Sequence, residues 1–146
     1  MKKLILLLLF IPIVSFGQEI QKKNKTFDEL KPNHLTLDDV PMFRSCKNVF
    51  KSERRKCFQN KMNKHISKHF YYPKYAQNRG IQGRVFIQFI IEQDGSIGEI
   101  KTRGPDESLE KAALKIIKKL PKMIPGKVNG KPVRVPFSIP ITWRLR

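Results

Sequence analysis

The chain has 146 residues, 40% of them hydrophobic, which is room for one domain of ordinary size with a folded core. It carries 30 Lys and Arg against 12 Asp and Glu, a net charge of +18, which favours anionic partners. Two cysteines exclude a disulfide-rich scaffold and allow a single bridge.

The first 17 residues follow the grammar of a secretory signal. Met1-Lys2-Lys3 is a charged start, residues 4–14 are an apolar run, and Ser15 and Gly17 are the small residues of a cleavage site. The run is shorter than the roughly 20 apolar residues of a membrane span, and Pro12 interrupts it. Cleavage near Gly17 and export are expected; the alternative is retention of the segment as a membrane anchor. Residues 18–40 are polar and without period, which reads as a flexible leader. A folded domain is expected over 41–146.

A helix is predicted over Ser52–His69, with Ser52 as its cap and Phe58, Met62, Ile66 and His69 as its apolar stripe. A short second helix follows, with Pro73 at its first position and Gly80 beyond its end. Residues 83–102 read as a hairpin. Asp94-Gly95 supplies a tight two-residue turn. The first strand puts Val85, Ile87, Phe89 and Ile91 on one face and Phe86, Gln88 and Ile90 on the other, so it is apolar nearly all round and belongs at the centre of its sheet. In the second strand Ile97 and Ile100 break the alternation, and Gly98 marks a bulge.

The clearest helix runs between Pro105 and Pro121. Leu109, Ala112, Ala113, Ile116, Ile117 and Leu120 form its stripe, with acids in the first turn and Lys118 and Lys119 in the last. After a turn-rich stretch, the last strand alternates without fault. Val133, Val135, Phe137, Ile139, Ile141, Trp143 and Leu145 take one face; Arg134, Pro136, Ser138, Pro140, Thr142 and Arg144 take the other.

These elements assemble into an α+β fold. The hairpin pairs strands one and two, and the crossover through the helix makes strands two and three parallel. With strand one central, the three-stranded sheet has the order 2-1-3, with both long helices on one face. Strand three is then an edge. Successive strand residues point their N–H groups to alternate sides, and Pro136 and Pro140 are both even-numbered. Both delete donors from the outer side and leave the odd residues to pair with strand one. Such prolines protect an edge from uncontrolled pairing, and the same edge suits a chosen partner strand.

At this point the sequence resembles a family. Tyr72-Pro73, Ala76, Gly80, Gly83, Asp94-Gly95, Ala112-Ala113, Pro125-Gly126, residues 129–133 and the ending Phe137–Leu145 together look like the TonB C-terminal domain, in the form common in envelope proteins of Bacteroidetes-type bacteria. The resemblance spans about residues 41–146. It implies a periplasmic domain that binds the TonB box of a TonB-dependent outer-membrane receptor by strand addition, in energy-coupled transport. Carried onto this chain, the partner lies on Arg134, Val135, Phe137, Ser138, Ile139, Ile141 and Thr142. A homodimer is a further expectation. The alternative is a soluble periplasmic binding or scaffold module that reuses the fold without transducing energy. Retention of residues 1–17 as an inner-membrane anchor would favour the transducer.

In an exported chain Cys46 and Cys57 read as a disulfide. With His65 and His69 they could instead form a zinc set, although the cysteines stand wider apart than in usual structural sites; neither metal nor cofactor is expected. No nucleophile elbow, phosphate loop or metalloprotease motif occurs, so no enzyme is expected. Eight basic residues and one acid lie between Lys47 and Lys68, and eight and none between Lys111 and Arg134. These suit anionic envelope polymers. Nucleic acid is not expected of an exported chain.

Overall fold

A computed structural model describes residues 37–146. The expected signal, 1–17, and the leader as far as residue 36 lie outside the described residues.

Single 3-10 turns at Arg44–Cys46 and Lys51–Glu53 lead into α1, Arg54–His69. Met62 of α1 is buried, and Phe58 and Ile66 are half-buried on the same stripe. Ser52 is not the cap. It falls inside the preceding 3-10 turn, and no side chain caps α1, because that turn already engages the leading donors: Glu53 N–H reaches the Phe50 carbonyl at 2.9 Å. The short α2, Lys74–Asn78, ends at Gly80 in the left-handed region, φ +65°. Gly80 N–H donates to the Gln77 carbonyl and Ile81 N–H to that of Ala76, the paired bonds of a Schellman motif. Pro73 is the residue before the first helical position rather than that position itself.

Strands β1, Gly83–Ile91, and β2, Ile97–Arg103, form the expected hairpin through a turn one residue longer than expected. Glu92 N–H donates to Ser96 at 2.8 Å and Gly95 N–H to Glu92 at 2.9 Å, so three residues connect the strands. Only Gly95 of these takes a positive φ, +84°. Asp94 does not take a positive φ, and its carboxylate accepts the N–H of Ser96 at 2.9 Å and its hydroxyl at 2.6 Å. The bulge lies just beyond Gly98: Gln88 faces Lys101 and Ile90 faces Gly98, which leaves one extra residue in β2, and Glu99 has φ +45°.

Helix α3, Glu107–Lys118, starts where expected. Asp106 accepts the Ser108 N–H at 2.8 Å, and Leu109, Ala112, Ala113, Ile116 and Ile117 are buried. The stretch after it holds a second hairpin that the sequence reading did not anticipate: β3, Gly126–Val128, and β4, Lys131–Val133, turn at Asn129 and Gly130, φ +50° and +73°. Residues 38–42 run beside β3. Asp39 bridges to Lys127 and Met42 to Ile124, so the pairing starts inside what reads as leader. The last strand is interrupted at Arg134, and β5 runs Val135–Trp143.

The main sheet has the order β2-β1-β5, with β1 antiparallel to both neighbours, as the sequence predicts. Val85, Ile87, Phe89 and Ile91 of β1 are fully buried in one core with the α3 stripe, Met62 and Trp143. Both long helices cover that face. Phe58 of α1 stacks 5.0 Å from Phe137, which lies 5.8 Å from Phe89. His65 Nε2–H donates to the Ile116 carbonyl at 2.9 Å and ties α1 to α3. Trp143 anchors the end of β5 by donating its indole N–H to the Tyr71 carbonyl at 2.9 Å. Cys46 and Cys57 are joined, with Cα atoms 6.0 Å apart, and clamp the first 3-10 turn to α1.

Candidate partner-binding edge

The register between β1 and β5 decides what the outer edge offers. Pro136 faces Ile90 and Pro140 faces Phe86. Proline has no N–H, so both are the non-bonded pairs of the ladder, and the odd residues from Val135 to Trp143 turn their backbone groups toward β1. The outer side therefore presents the carbonyls of Pro136, Ser138, Pro140 and Thr142, and the N–H groups of Ser138 and Thr142 only. It is an acceptor-rich edge, and its two donors flank Pro140.

The sequence-predicted residues divide along this line. Ser138 and Thr142 are exposed and face outward. Val135 and Ile141 are buried, and Phe137 and Ile139 pack against the core, so these four shape the strand from within. Arg134 stands in the break between β4 and β5 and is already engaged. Its guanidinium donates to Glu92 at 2.7 and 3.1 Å and to Glu99 at 2.5 Å. Those two carboxylates, Glu92 first, hold its pKa further above the usual arginine value.

Beside β5 lies a groove of about 450 Å³, lined by Asn63, Ile66, Ser67 and Phe70 from the end of α1 and by Pro140, Ile141 and Thr142. It shares Phe70 and Thr142 with a second concavity that reaches Arg144 and Arg146. An added strand on β5 would lie along a wall with an apolar floor, amide and hydroxyl groups above it and positive charge at one end. The α1 residues were not legible as site residues, since nothing in their spacing says which side of the sheet edge the helix flanks.

The cysteines are bonded to each other, and His69 Nδ1–H donates to the His65 carbonyl at 2.9 Å, so the zinc alternative loses its thiolates. No group of three or more potential ligands that could hold a metal ion occurs among the described residues.

A three-stranded antiparallel sheet with a helix pair on one face and an open, proline-blunted edge defines a small α+β domain suited to strand addition. The chain belongs to the family described as Gram-negative bacterial TonB protein C-terminal, which matches residues 68–145. It is 38% identical over 91 residues to protein TonB of Helicobacter pylori strain 26695, and likewise to that of strain J99. The match covers 61% of this chain but 30% and 31% of those relatives. Among solved structures, the Helicobacter pylori TonB C-terminal domain in solution superposes with a TM-score of 0.50 at 35% identity, over 61% of this chain and 81% of that one. The family is one of cell-envelope transport and is not an enzyme family. No helix among the described residues is long and apolar enough to cross a membrane.

Proposed function

We propose that this chain is a TonB-like periplasmic domain, exported by residues 1–17, that engages TonB-dependent outer-membrane receptors by taking their TonB box as an added strand on β5, in energy-coupled transport. The observation that carries this reading is the outer edge itself. Its outward groups at Pro140 and Thr142 border a groove against α1, while the backbone groups of the odd-numbered residues of β5 stay committed to β1. Family membership supports it. A second copy of the chain is the competing occupant of the same edge.

The test is amide NMR of the protein titrated with a TonB-box peptide. The largest shifts are expected at Ser138 and Thr142, with smaller ones at Asn63 and Ser67. Ser138→Pro removes an outward donor and leaves the β1 ladder whole, so it should weaken binding about fivefold or more with an unchanged melting temperature. No binding, or binding that maps to β2, overturns the proposal.

A further inference from the structure

Two sets of lysines stand on the helix layer, on residues that do not line the β5 groove. Lys61, Lys64 and Lys68 recur at i, i+3 and i+7 along α1, which places them on one stripe. Lys115, Lys118 and Lys119 are exposed at the end of α3. The two sets meet at Lys68 and Lys119. His65 of α1 bonds to the Ile116 carbonyl of α3, and the charges of Lys119 and Lys68 both reach its ring. None of the six lysines has an ion-pair partner among the described residues.

Fold stability does not account for this arrangement. Like charges at these spacings weaken a helix. The helix dipole rewards the lysines in the last turns but not Lys61 or Lys64, which stand in mid-helix. All six are lysine, a compact point charge, rather than the arginine fork that reads one fixed phosphate. They make a diffuse positive surface, which matches a layer of negative charge better than a single anion. At the head of the same helix Phe50 is 84% exposed, with exposed Lys47 and Lys51 on either side in sequence. An exposed aromatic among cations suits a lipid headgroup layer, where the ring inserts and the charges stay with the phosphates.

We infer that the outward surface of α1 and α3 docks on an anionic phospholipid membrane, with Phe50 entering the headgroup layer. This surface is separate from the β5 edge, so the inference stands or falls independently of strand addition.

The experiment uses the full chain with Phe50→Trp, read by quenching of the new indole with brominated lipid; the parent chain, with buried Trp143, sets the background. This readout reports docking at the head of α1 whether or not residues 1–17 also hold the chain to the vesicle. Quenching is expected in vesicles containing phosphatidylglycerol and is expected to weaken with salt. Lys61→Gln, Lys64→Gln and Lys68→Gln should each lower the docking constant about fivefold, with binding of the TonB-box peptide unchanged. Equal quenching in purely zwitterionic vesicles overturns the inference, as does undiminished quenching in the triple variant. Tight binding of linear polyphosphate without any lipid quenching also overturns it, in favour of a soluble polyanion.

Discussion

Pro140 of β5 stands directly opposite Phe86 of β1 in a pair that exchanges no backbone hydrogen bond. The missing N–H is thereby lost only on the outer side of the sheet, where it shapes what can be added.

Pro140→Val restores an outward donor between those of Ser138 and Thr142. One further hydrogen bond to an added strand contributes about 1 kcal/mol, or roughly fivefold in affinity. TonB-box peptide should bind more tightly, or the free protein should dimerise, as read by titration calorimetry and sedimentation equilibrium. If the variant changes neither, the edge does not work as argued.

Gly95 and Gly130 separate two causes of a glycine requirement. Both have positive φ, +84° and +73°. A Cβ on Gly130 would meet nothing within 4 Å, whereas one on Gly95 would lie 1.8 Å from the Met123 carbonyl oxygen. Met123 N–H in turn donates to the Gly95 carbonyl at 2.9 Å, which pins the hairpin to the segment after α3. Gly130→Ala should cost about 1 kcal/mol, the strain of the backbone conformation alone. Gly95→Ala should cost roughly 3 kcal/mol or more, since backbone must move as well. Equal losses in urea unfolding would remove the close approach from the explanation.

The α3 stripe, the central strand and the outward prolines were legible because each is written in local spacing: 3.6 residues for the helix, two for the strands. The β3–β4 hairpin was not, although Asn129-Gly130 is a strong turn signal. Its strands are three residues each, too short to show alternation, and their other support is the distant stretch 38–42. Arg134 was legible as an outward residue of a continuous strand but not as the centre of a cluster with Glu92 and Glu99, since that depends on how two hairpins meet. The groove beside β5 depends in the same way on where α1 packs, which no single element encodes.

The disulfide between Cys46 and Cys57 closes a short loop, with a sequence separation of 11. Cross-linking a loop of that size lowers the entropy of the unfolded chain by an amount equivalent to roughly 3 kcal/mol at room temperature. Cys46 is fully buried, so the bridge is also part of the core. Reduction, or the double variant Cys46→Ser with Cys57→Ser, should lower stability by about that amount. Because the bridge holds α1, the wall of the groove, peptide affinity should fall with it. A reduced protein with an unchanged unfolding midpoint would show that the clamp is not part of what holds α1.

His65 makes stability depend on pH. Burial lowers its pKa below 6.5, the bond to the Ile116 carbonyl opposes that shift, and the charges of His69, Lys119 and Lys68 add to it. In the unfolded chain the ring takes up a proton as the pH falls through about 6.5; in the folded protein it does so only at lower pH. Below 6.5 the unfolded state therefore binds more protons, and stability falls with pH until the folded ring is protonated too. Above 6.5 this contribution is complete and flat. The urea midpoint should decline on acidification across that window, and His65→Gln should remove part of the decline, because glutamine keeps a donor for the Ile116 carbonyl but does not titrate. An identical decline in the variant would place the pH sensitivity in groups other than His65.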